Sequence, residues 1–98
     1  MIEITERLQR RIRRDFPNAK VVEEVESHLR LMVWKLGPDG VRGAGEERLM
    51  AAAVIHARGD IGRLRNAVSL AQLDWRDLLV AAYLADEDFP QHLDQELP

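Results

Sequence analysis

The chain predicts an all-α fold, a compact single-domain bundle of about five helices with room for a short sixth at the C-terminus. Three observations carry this. Apolar residues recur at three- and four-residue spacing in segment after segment, and no run alternates with the period of a strand. Aromatic residues make up only 5% of the chain, so the core must be built from Leu, Val, Ile and Ala, which stacked helices use readily. The 98 residues suffice for one core and are too few to divide into two, so residues 1–98 are read as one domain.

The first helix follows from Ile4, Leu8, Ile12 and Phe16, which share a stripe at about 100° per residue. Arg7, Arg10, Arg11, Arg13 and Arg14 form a basic back on the other side. Pro17 turns Phe16 away from helical angles and ends the helix there. Asn18 caps the second helix, whose Val21, Val22, Val25, Leu29, Met32, Val33 and Leu36 fall within an arc of about 120°. Leu31 and Trp34 lie outside that arc and make a separate small apolar patch. Gly37-Pro38 stops this helix, and residues 37–45, with four of the six glycines, read as a flexible connection. They make no phosphate loop, because neither a preceding strand nor a Lys-Ser/Thr pair is present.

Glu46 and Glu47 suit the positive end of a third helix that runs to Arg58, with Gly59 just beyond it. Its apolar residues spread around the axis, which predicts a central position. Asp60 caps a fourth helix along the Ile61, Leu64, Val68 and Ala71 stripe. Asp74 caps a fifth that runs to about Ala85 and is apolar on nearly every side, so the core or a second subunit must cover it. The acidic tail, residues 86–98, either frays or forms a short helix from Asp88 and Pro90 that Phe89 and Leu93 tack down.

Arg14-Asp15-Phe16-Pro17, Gly59-Asp60-Ile61-Gly62-Arg63-Leu64 and the segment from Asp74 to Ala82 resemble a family of small, uncharacterised bacterial all-helical proteins. In that family an Arg-Asp-Phe-Pro stretch precedes a helix, and an aspartate-aromatic-arginine-aspartate helix closes the domain. The resemblance implies a bacterial helical protein and brings no catalytic residue with it.

Composition excludes several chemistries. The absence of cysteine rules out disulfides, thiolate nucleophiles and thiolate metal sites, and fits a reducing cytoplasm. The longest apolar run, Leu78 to Ala85, is eight residues, against about 20 for a membrane span. The N-terminal segment lacks the apolar stretch of a secretory signal. Thr5, Ser27, Ser69 and Tyr83 are the only hydroxyl residues, and none sits in a nucleophile elbow. Glu24 and His28 have the spacing of two metal ligands on one helix face, which would leave a metal-dependent enzyme as a third reading, but a hydrogen-bonded helix pair explains the same spacing more simply. No catalytic residue, cofactor or metal is therefore assigned, and the chain is read as a non-enzyme.

Charge is uneven: residues 1–65 carry 13 basic and 10 acidic side chains, residues 66–98 carry 1 and 7. Two binding readings follow. A small cytoplasmic interaction or adaptor module would use Leu31 and Trp34 as contacts and Arg10, Arg11 and Arg14 as a charged rim, with homodimerisation through opposed charges expected. The alternative is nucleic-acid binding along the arginine ridge, which a net charge of −3 opposes.

Overall fold

The computed structural model describes residues 2–97, apart from the side chains of residues 39 and 40. The described residues form five helices: α1 (Glu6–Asp15), α2 (Ala19–Ala44), α3 (Glu46–Ala57), α4 (Ile61–Ala81) and α5 (Phe89–Glu96). Among the described residues there is no strand, and no helix is long and apolar enough to cross a membrane. The radius of gyration, 12.0 Å, matches the roughly 13 Å of a compact globule of this length.

Local chemistry sets the helix boundaries. The Thr5 hydroxyl accepts the Leu8 N–H, Asn18 accepts those of Lys20 and Val21, and Asp60 accepts that of Arg63. Each bond satisfies one of the amides that a first helical turn leaves without a partner. Phe16 closes α1 through its own N–H to the Ile12 carbonyl, as Pro17 requires.

Two helices are broken internally. Gly37, at φ +67°, interrupts α2, and Pro38 opens a further helical segment that ends where the Gly45 N–H meets the Val41 carbonyl. The expected flexible connection is therefore mostly helical. Val41 and Ala44 pack on the core, and a Cβ at Gly43 would stand 2.5 Å from the Trp75 ring, so the indole lies directly on this segment. Asp74 interrupts α4 with extended angles and accepts the Arg76 N–H at 3.0 Å. The fifth helix of the sequence reading is thus the second half of α4. It stops at Ala81, short of the expected Ala85, with Tyr83 in the left-handed region at φ +60°.

α3 is the centre of the bundle. Leu49, Met50, Ala51, Ala52, Ala53, Val54 and Ala57 have no exposed surface, and α1, α2, α4 and α5 all pack against this helix. Four of those seven are alanines, which let neighbouring backbones approach closely. The second half of α4, by contrast, buries only one face. Leu78, Leu79 and Ala82 enter the core, while Val80 and Tyr83 stay in solvent.

The acidic tail forms α5 and docks, with Leu93 and Leu97 in the core and Phe89 half-buried against it. Arginines of the body hold it. Arg48 donates from Nε to the Leu84 carbonyl at 2.8 Å and stacks over the Phe89 ring, 3.7 Å from the centroid.

Candidate interaction surface

Leu31 and Trp34 occupy the solvent side of α2, as their place outside the core arc predicts, with Trp34 71% exposed. They wall an open groove of about 740 Å³ whose other side is the extended segment before α1, with Ile2, Glu3 and Ile4, and Gln9 of α1. Ile4 is buried and pins that segment down. Arg30 stands on the α2 side of the groove and Glu3 on the other, and neither has an ion-pair partner among the described residues.

Arg10, Arg11 and Arg14 do not join this groove. With Arg7 and Glu96 they line a separate one of about 200 Å³ on the flank of α1 that faces α5. The physical reason is the helical register: Arg7 and Arg11 lie on the edge of the core stripe away from Gln9, so packing carries them toward the C-terminal acids. Arg11 is 9% exposed and bonds to Asp15 Oδ2 at 2.8 Å, Glu96 Oε2 at 2.7 Å and the Glu96 carbonyl at 2.8 Å. Arg7 grips Glu47 with two nitrogens and reaches Asp94 at 2.7 Å, while the Thr5 hydroxyl donates to the same Glu47 carboxylate. Arg10 pairs with Glu6 at 3.5 Å and Arg14 with Asp15 at 3.3 Å. The opposed charges of the two chain segments meet within one molecule.

Arg7, and secondarily Thr5, hold the Glu47 carboxyl below the ordinary glutamate range against the opposing effect of burial. A carboxyl depressed in the folded state contributes stability above its unfolded pKa, about 4.3, and that contribution is lost as pH falls through the folded value. Denaturant titrations at about pH 7 and about pH 3 should therefore show a loss that Glu47→Gln reduces. An unchanged pH slope in Glu47→Gln would show that this network is not what responds to acid.

The Glu24–His28 pair is present at 3.6 Å, but the stronger partner of Glu24 is Arg65 of α4, at 2.6 Å. A guanidinium stands where a metal cation would compete for the carboxylate. His92 pairs with Asp88 at 3.1 Å on the surface of α5. Among the described residues no three His, Cys, Asp or Glu gather as metal ligands.

A polar cleft escapes the sequence reading. His56 and Arg58 at the end of α3, Arg63 and Asn66 on the first turns of α4, and Tyr83 beyond its last turn line a space of about 430 Å³. The α3–α4 turn, with Gly59 and the Asp60 cap, is a local signal for the first four. Nothing in the sequence places Tyr83 beside them. Comparison of the chain with protein-family models, curated proteins and solved structures finds no match.

Proposed function

We propose that this chain is a small cytoplasmic protein-interaction or adaptor module, a binding protein and not an enzyme, that pairs with a second copy of itself through the Leu31–Trp34 groove. The observation that carries this reading is an exposed tryptophan beside an apolar groove whose rim holds one cation, Arg30, and one anion, Glu3. A two-fold interface presents the same patch from both sides, so it requires a patch complementary to itself. Here Trp34 and Leu31 of one copy meet the Ile2 side of the other, and Arg30 meets the partner's Glu3. Exposed tryptophan and arginine are the residue types that dominate such contacts. The lack of cysteine suits a reducing compartment.

The alternative, nucleic-acid binding along the ridge, loses support because Arg7 and Arg11 are already held by Glu47, Asp94, Asp15 and Glu96. Phosphates would have to displace these carboxylates.

Sedimentation equilibrium from micromolar to high micromolar concentration tests the reading. The wild type should dimerise, and Trp34→Ala should weaken the dimer by about 30-fold, the scale of an interface hot spot. Arg30→Glu and Glu3→Arg should each weaken it, and the two together should restore it. A wild type that stays monomeric throughout, or a charge-swapped pair that restores nothing, would overturn the proposal.

A further inference from the structure

The cleft between the α3–α4 turn and the end of α4 gathers two guanidinium groups and an imidazole with no carboxylate among its lining residues, unlike the arginine ridge of α1. Arg7, Arg11, Arg14 and Arg65 are paired with carboxylates, and Arg48 with a backbone carbonyl. Arg58, Arg63 and His56, by contrast, have no ion-pair partner among the described residues, and no carboxylate lines this compartment. Two guanidinium forks, the Asn66 amide and the Tyr83 hydroxyl are donors suited to the several oxygens of a dianion.

The backbone singles out the same place. Among the described residues Arg58 (φ 49°) and Tyr83 (φ 60°) are the only non-glycine residues in the left-handed region, and both border the cleft. That conformation costs about 1–2 kcal/mol for a residue with a Cβ, and glycine would remove the cost. The chain instead holds there a guanidinium and a phenol ring that is 76% exposed.

We infer that this cleft binds a phosphate-bearing small molecule, the phosphate lying between Arg58 and Arg63 and the remainder against the exposed Tyr83 ring. A second compartment of about 420 Å³ shares Ile55, Arg58 and Tyr83 with the first and brings in Asp86, His92 and Glu96. Its carboxylates oppose the continuation of a polyanion along the surface, which selects a small ligand over a nucleic-acid strand. Asn66 and His56 add polar hydrogen-bonding groups at the arginine end. The ring and the Ile55 and Ala81 side chains supply an apolar wall for the organic part.

Isothermal titration of the full chain with inorganic phosphate and with phenyl phosphate, each at constant ionic strength against chloride, tests this. Both ligands should saturate the protein. A phenyl phosphate affinity at least about tenfold the higher would support the placement of the organic part on Tyr83, whereas equal affinities would overturn that placement and leave a site for free phosphate alone. Arg63→Gln should weaken binding by about tenfold or more without lowering the melting temperature, because this exposed side chain holds nothing else in place. Arg58→Gly, which relieves the backbone, should weaken binding while raising or preserving stability. Trp34→Ala should leave phosphate binding intact, so failure of the dimer and failure of this site are separable. Binding no stronger than chloride produces, or binding that survives both arginine substitutions, would overturn it. A DNA oligonucleotide that binds more tightly than phenyl phosphate in an Arg63-dependent way would overturn the small-ligand assignment.

Discussion

Leu49→Ala lowers the free energy of unfolding by about 3 kcal/mol, read as a reduced urea midpoint at unchanged slope. Leu49 has no exposed surface and sits on α3, the helix against which the other four pack, so the space its side chain leaves has little freedom to collapse. Domains of this size are stable by about 5–15 kcal/mol in total, and the melting temperature should fall by on the order of 15 °C. Leu73→Ala is the matched control. It removes the same atoms from a side chain that is 86% exposed, just before the Asp74 break, and should change stability by less than about 0.5 kcal/mol. Similar losses for the two would place the centre of the core elsewhere than on α3.

Gly59→Ala costs about 2–4 kcal/mol, through a contact that no core side chain reports. Gly59 has φ +80°, and a Cβ there would stand 2.9 Å from the backbone carbonyl oxygen of Asp15, at the end of α1. A backbone oxygen cannot swing aside as the tip of a side chain can. The α3–α4 turn and the end of α1 would have to separate, straining the Arg11–Asp15 pair beside them. Gly37→Ala isolates the conformational component, since Gly37 is at φ +67° with no atom within 4 Å of the added Cβ. It should cost only about 1 kcal/mol. Equal denaturation midpoints for the two variants would rule out the close approach of Asp15.

These two sites also mark what can be read from sequence. The Asn18, Asp60 and Asp74 caps and the Gly37-Pro38 stop depend on neighbours within a few residues, so they are visible in the chain. The all-α class and the central place of α3 follow from periodicity and from its all-round apolar surface. The helical segment after Gly37 is not visible, because its glycines disfavour a helix and its support comes from Trp75, some thirty residues later. The arginines of α1 are legible as a ridge but not as a clasp, since their partners Asp94 and Glu96 come from the far end of the chain. The interaction surface divides in the same way. Leu31 and Trp34 can be named from the helical arc, whereas the separation of Arg10, Arg11 and Arg14 from them depends on which flank of α1 meets α5.

The clasp between α1 and α5 also bears on the order in which the domain assembles. Arg7 and Asp94 are 87 residues apart, and Arg11 and Glu96 are 85 apart. Contacts of such separation carry a large loop-closure cost, and α5 is a short helix anchored by Leu93, Leu97 and a half-buried Phe89 together with these ion pairs. α5 is accordingly expected to open at a lower free energy than global unfolding, which faster amide hydrogen exchange in α5 than in α3 would show. Each opening carries Glu96 and His92 away from the compartment beside Arg58 and Tyr83. Opening of the C-terminal helix is thus expected to leave that cleft more positive, since it withdraws the Glu96 carboxylate.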